Sequence, residues 1–231
     1  MYSREINGEE YDFGVSGKLI MNVLVMYDRQ TGSLWSQLLG KAVQGPLKGT
    51  VLEFLPSFQT TWADWKERYP STVALDIGSG GAFDPYESYY RSGATGVIGE
   101  TIIDDRLYVK EFVIGVEQNG EAAAYPFSVL NDQPVVHDEI GGVPVLVIFD
   151  KETGSGVVYH RELDGQILTF SGGADLKLTD FETGSTWDGL SGTATGGPLA
   201  GETLERLKST QSFWFGWKDF YADTRLYGID P

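Results

Sequence analysis

Cysteine is absent from this 231-residue chain. The chain therefore has no disulfide, no thiol nucleophile and no thiolate metal site, although the absence by itself selects no compartment. Basic residues are scarce: 17 Lys and Arg stand against 33 Asp and Glu, a net charge of −16. Phosphate binding needs basic surface, so nucleic acid is excluded as a partner, and the acidic surface serves solubility. No apolar run reaches the roughly 18 residues of a membrane span. The first residues, Met1 to Glu5, carry no apolar stretch of the kind that makes a signal peptide. The compartment stays open, an extracytoplasmic one included if the chain is a fragment. What is present is 41% hydrophobic and 13% aromatic residues, enough to bury a core in one large domain or two small lobes.

The six tryptophans fall into two triplets with one internal spacing, Trp35, Trp62 and Trp65, then Trp187, Trp214 and Trp217, each 152 positions on. Aligned at that offset without a gap, residues 28–69 and 180–221 share 21 of 42 positions, including Thr31-Gly32-Ser33 with Thr183-Gly184-Ser185 and Gly45-Pro46-Leu47 with Gly197-Pro198-Leu199. This is an internal duplication. A second register, 157 apart, matches Tyr2, Arg4-Glu5, Gly8 and Phe13 to Tyr159, Arg161-Glu162, Gly165 and Phe170. Residues 107–157 have no counterpart before Met1, so the expectation is that the chain is a fragment or that something else completes its first lobe, a partner or a homo-oligomer. The predicted organisation is a truncated first repeat over 1–75, a Gly- and Asp-rich linker over 76–105, and a more complete second repeat over 106–231.

The pattern reads as mostly β (α+β), with two pseudo-repeated antiparallel β lobes and short aromatic helices. Asn7-Gly8, Asn119-Gly120 and Asp164-Gly165 are two-residue hairpin signals. The β-branched and aromatic runs at 23–28, 112–117, 143–149, 156–161 and 166–170 are strand candidates. Thr61 with Asp64 forms a capping pattern ahead of Trp62, Trp65 and Tyr69 on one face, and Pro70 stops the helix; its copy is 213–221. A further short turn is predicted over 125–130.

Several motifs resemble the domain-of-unknown-function (DUF) family 3179. They are Phe13-Gly14-Val15-Ser16-Gly17-Lys18-Leu19, the run from Met26 to Gln37, Asp84-Pro85-Tyr86 with Tyr89, Arg106-Leu107 with Lys110-Glu111, Asn119-Gly120-Glu121 with Ala124-Tyr125-Pro126, Gly141 to Val145, and Phe213 to Trp217. The resemblance covers nearly the whole chain and implies no particular activity. It also implies that fuller members open with a further stretch carrying a Cys-Pro-Leu-Cys element. Copy two has Ile148-Phe149-Asp150-Lys151 at the corresponding place, so thiol or metal chemistry through that element is not implied for this chain.

Residues kept in both copies (Gly, Pro, Trp and Leu, with Asp28/Asp180 and Thr31/Thr183) read as turns and core. Polar residues of one copy are freer to serve a site. Copy one has Arg29, Ser36, Gln37 and Asp64 where copy two has Phe181, Asp188, Gly189 and Gly216. On a hairpin around residues 30–33, alternation sets Tyr27 beside Arg29 and Trp35 beside Gln37, a set suited to a carboxylate or a sugar; the plainer reading is ordinary cross-strand pairing. The candidate ligand-binding residues are thus Tyr27, Arg29, Trp35 and Gln37, with Asp84, Tyr86, Lys110 and Glu111 from the resemblance. His137 and Glu139 share a strand face, but no second ligand pair accompanies them. Solvated histidines, no metal and no cofactor are expected. A catalytic serine lacks its Gly-x-Ser-x-Gly elbow. The function expected is a non-catalytic binding or structural module for a small molecule, a glycan or a protein. The alternative is a carboxylate-dependent hydrolase or lyase with its site in the inter-lobe groove near Asp84, Lys110 and Glu111.

Overall fold

The computed structural model describes residues 1–75, 86–172 and 176–230. The first lobe contains β1 (Glu5–Ile6), β2 (Glu9–Glu10), β3 (Phe13–Ile20), β4 (Val23–Asp28), β5 (Leu34–Ser36), β6 (Lys41–Gln44) and α1 (Trp62–Arg68). After α2 (Glu87–Arg91) come β7 (Phe112–Gln118), β8 (Glu121–Pro126), α3 (Phe127–Leu130), β9 (Val135–Ile140), β10 (Val143–Asp150) and β11 (Ser155–His160). The chain closes with β12 (Glu162–Leu163), β13 (Gln166–Ile167), β14 (Phe170–Gly172), β15 (Lys177–Asp180), β16 (Thr186–Asp188), β17 (Thr193–Gly196), β18 (Ser209–Phe213), α4 (Trp214–Lys218) and β19 (Arg225–Leu226). This is the mostly β, largely antiparallel architecture expected, with few and short helices. Among the described residues no helix is long and apolar enough to cross a membrane.

The three hairpin signals form their turns. Asn7, Asn119 and Asp164 take φ of 54°, 51° and 51°, each followed by a glycine at positive φ, the two left-handed residues a type I′ turn requires. Thr61 caps α1, accepting from the Asp64 N–H at 3.2 Å. The predicted strand over 166–170 is split into β13 and β14.

The second lobe is layered. Sheet β18-β7-β8-β19 packs on one face of sheet β11-β10-β9 through Ile114, Val116, Tyr125, Val145, Val147 and Phe149. The other face of that sheet meets β14-β15-β16-β17 through Leu146, Ile148, Tyr159, Leu178, Trp187 and Leu190. Strand β10 is therefore covered on both faces, which explains its unbroken run Val-Pro-Val-Leu-Val-Ile-Phe: a strand buried on two sides has no polar face to alternate with. In the first lobe, sheet β3-β4-β5-β6 carries a small core of Ile6, Tyr11, Trp35, Ala42 and Leu52.

The duplication is visible atom by atom. Trp35 Nε1 donates to Asp28 at 2.9 Å and Trp187 Nε1 to Asp180 at 2.8 Å. Phe13 stands edge-on to Trp35 as Phe170 does to Trp187. Tyr2 donates its hydroxyl to the Leu38 carbonyl as Tyr159 does to Leu190. Gly45 and Gly197 sit at φ of +98° and +86°, and a Cβ on either would lie 2.7 Å and 2.6 Å from the backbone Cα of Ser33 and Ser185. That neighbour is main chain and cannot rotate away. Gly197→Ala is expected to destabilise the fold by about 2–3 kcal/mol, from the left-handed penalty plus the overpacking, read as a shift in a urea midpoint.

Candidate functional site

The described members of the predicted site fall in separate places. Trp35 is fully buried, edge-on to Phe13, with its N–H held by Asp28, so its indole has no face for a ligand. It pairs with Met26, while Tyr27 pairs with Leu34. Arg29 is exposed just beyond β4, its guanidinium 5.5 Å from the centre of the Tyr27 ring. Lys110 is buried and donates to the carbonyls of Tyr89 and Ser92, with its ammonium 3.6 Å over the Tyr89 ring. Glu111 accepts from the Ser128 N–H at 2.8 Å and so caps α3. Both side chains are engaged by neighbouring backbone groups. Tyr86 is exposed ahead of α2, and Asp84 lies outside the described residues.

The histidine reading needs correction. His137 is half-buried, not solvated: its ring is parallel to Phe170 and its Nε2 accepts the Phe170 N–H at 2.9 Å. Burial, reinforced by the charge of Arg161, pushes its pKa below the ordinary value against the opposing pull of Glu182, which keeps the ring neutral and able to accept. Among the described residues no group of three or more His, Asp or Glu side chains comes together to hold a metal.

Among the described residues of the predicted set, Gln37 lines a cavity. A cleft of about 240 Å³ opens between the lobes. Its first-lobe wall includes Tyr2, Val23, Gln37, Leu38 and Phe54; its second-lobe wall is Gly156 and the strand residues Ser209, Thr210, Gln211 and Ser212. Lys208 fixes this wall against the first lobe, donating to the Leu39 carbonyl at 3.0 Å with its ammonium 5.5 Å from the Tyr2 ring centre. Burial lowers the pKa of Lys208, opposed by Glu117. Burial, with the nearby Tyr221, pushes the Tyr2 phenol up to about 12, so it stays protonated and donates to Leu38.

The lining also includes Met1, whose α-amino group donates to Ser57 Oγ at 3.0 Å, and its side chains are hydroxyl, amide and apolar. Tyr2 is its only side chain that titrates, and the Ser212 Oγ on its floor is out of contact with water and has no hydrogen-bond partner. A buried hydroxyl left unmatched calls for an explanation, a missing ligand group among them. Gln37 was readable as special because copy two has glycine there. Ser209 and Gln211 were not, since Ser57 and Gln59 repeat at those positions and look like shared scaffold.

A second hollow of about 370 Å³ lies between α1 and the β16–β17 end of the other lobe. Its charges are already engaged: Arg68 with Asp64 at 3.0 Å and Asp188 at 3.8 Å, Arg206 with Tyr159 and the Leu190 carbonyl. The segment between lobes is also held from both sides. Asn22 of the first lobe binds Val97 N, Ile98 N and the Gly99 carbonyl. The Asp219 carboxylate takes the N–H groups of Thr101 and Ile102, and buried Lys218 pairs with Glu100 at 2.6 Å.

Residues 1–224 match the family described as Protein of unknown function (DUF3179). Comparison with curated proteins and with solved structures finds no match.

Proposed function

The chain belongs to the DUF3179 family, and from the geometry of its cleft we propose that it is a non-catalytic binding module that holds an uncharged, hydrogen-bonding ligand between its two lobes. The observation that carries this reading is the lining itself. Gln37, Thr210 and Gln211 line the cleft together with aromatic Tyr2 and Phe54, with no carboxylate, imidazole or lysine among the side chains. General acid–base or nucleophilic turnover needs such a group within reach, whereas specific binding needs a few fixed polar contacts on an apolar wall.

A tryptophan at Gln37 would fill the cleft from an exposed position. Gln37→Trp is expected to weaken any ligand found by a panel of neutral oligosaccharides and extended peptides at least about tenfold, while the thermal melt stays nearly unchanged. An unaltered affinity in that variant would remove the cleft as the site. The exposed Arg29 over Tyr27 supports a second reading, a site at the opposite end of β4; a ligand that Arg29→Ala weakens and Gln37→Trp leaves alone would move the site there.

A further inference from the structure

We infer that the second hollow, between α1 and the β16–β17 end of the other lobe, is an anion site for a small carboxylic acid with an apolar body, its carboxylate held by Arg206 with Arg68 at the rim. This site goes beyond the cleft and does not depend on it. The hollow is about 370 Å³, within the size range of small-molecule pockets. The duplication separates its scaffold from its charges. Leu190, Leu204 and Tyr69 recur in the other copy as Leu38, Leu52 and Tyr221, whereas Arg206 stands where copy one has Phe54, and Arg68 where copy two has Phe220. The apolar wall is shared and the arginines are not.

The corner beside Arg206 does not need a guanidinium. Tyr159 donates its hydroxyl to the Leu190 carbonyl at 2.6 Å with Arg206 next to it, and Tyr2 donates to the Leu38 carbonyl at 2.9 Å with Phe54 in the arginine's place. The same corner closes in both copies. Arg206 is therefore surplus to the fold there, and in a chain of 17 basic residues and net charge −16 it lines one hollow with Arg68, the other arginine particular to its copy. Polar residues of one copy are those freest to serve a site.

Neither guanidinium is fully spent. Arg206 gives Nη2 to the Tyr159 hydroxyl at 2.8 Å and to the Leu190 carbonyl, two uncharged acceptors, which leaves its Nε and Nη1 without an acceptor among the described residues. The rings of Phe58 and Tyr159 lie against it, 5.5 and 5.3 Å from ring centre to guanidinium carbon, and fix its plane. A planar fork held in this way is the group that recognises a carboxylate through paired hydrogen bonds. Arg68 Nε pairs with Asp64 at 3.0 Å, while its Nη1 stands 3.8 Å from Asp188, too far for a hydrogen bond. With Asp64 and Asp188 offsetting Arg68, the positive charge left over is that of Arg206, which suits a monoanion better than a phosphate dianion. Phe58, Tyr69, Leu190 and Leu204 supply the wall for the apolar body.

The probes are phenylacetate, hexanoate, acetate, inorganic phosphate and the neutral phenylacetamide, each titrated by NMR into the isotopically labelled full chain in a buffer free of other carboxylates and phosphate. Phenylacetate and hexanoate should shift the side-chain Nε–H signals of Arg68 and Arg206 and the amides of residues 188–191 and 203–206, and bind at least about tenfold more tightly than acetate or phosphate. Phenylacetamide should leave those signals in place. Arg206→Gln should lower phenylacetate affinity at least about tenfold. Arg68→Gln, at the exposed end of a helix with no buried residue, should weaken it without touching the core. Equal binding of phenylacetate and phenylacetamide overturns the anion site, as does phenylacetate binding that neither substitution alters, or no shift with any probe. Tighter binding of phosphate than of either apolar carboxylate overturns the ligand class. Shifts centred on residues 37–38 and 209–212 would put the anion in the cleft and overturn this site while leaving the cleft as a binding place.

Discussion

Asp180→Ala should lower the unfolding free energy by about 4 kcal/mol, measured by urea denaturation near neutral pH. The carboxylate is fully buried at the start of the Asp180 to Ser185 turn and accepts from Trp187 Nε1 at 2.8 Å, Thr183 Oγ1 at 2.9 Å and Ser185 N at 3.1 Å, with Thr183 N as well. Removing it strands several buried donors at once, and each unsatisfied group costs on the order of 1–3 kcal/mol. The indole then loses the bond that orients it against Phe170. Asp28 is its counterpart in the first lobe, holding Thr31 and Trp35.

The same bonds set a pH dependence. Burial alone raises the Asp28 and Asp180 carboxyls, but bonds from the tryptophan, threonine and serine donors outweigh it and hold both below the ordinary value. A depressed carboxyl contributes stability that is fully present above the unfolded pKa of about 3.9 and is lost as pH falls through the folded pKa. Acid unfolding of the parent protein should therefore steepen below about pH 4, and Asp180→Ala should show less of that loss. A variant with an unchanged acid profile would mean that this carboxylate is not ionised in the fold.

Trp214→Ala is the second large effect, also about 4 kcal/mol. The ring is packed with Val113, Ala124, Trp217 and Leu226, its Nε1 donates to the Asp104 carbonyl at 3.2 Å, and the Arg106 guanidinium stands 5.5 Å from its centre. Truncation leaves a cavity that neighbours on a sheet cannot close. Trp62→Ala, at the same position of the repeat, should cost under about 1 kcal/mol because its ring is mostly in water. The pair is informative. A large cost at Trp62 would mean that the face of α1 is covered in solution.

Much of the architecture was legible in the chain. The three hairpins follow from Asn-Gly and Asp-Gly pairs, strand β4 from its β-branched run, and the α1 cap from Thr61 and Asp64, all short-range signals carried by neighbouring residues. The site was far less legible. Trp35 and Lys110 are polar or aromatic residues of the right type, but their bonding capacity is consumed by Asp28 and by two carbonyls near α2. Local patterning does not say which partners will take up a donor. A third turn of the same chemistry, Asp150-Lys151-Glu152-Thr153-Gly154-Ser155, repeats the spacing Asp-x-x-Thr-Gly-Ser, and its Thr153 hydroxyl bonds Asp150 at 2.7 Å. It lacks the tryptophan, Val157 standing in its place, so an aromatic-based search passes over it.

The sequence by itself determined the duplication, the β class and the conserved turn that orients each indole, because these depend on residue types at fixed short spacings and are written twice. Only the tertiary structure decided that the two copies are used differently. The burial of α4 and exposure of α1, the Lys208 contact to Leu39, and the cleft between Gln37 and Ser212 all join residues far apart in the chain. Such contacts arise from how whole sheets pack, which spacing along the chain does not encode.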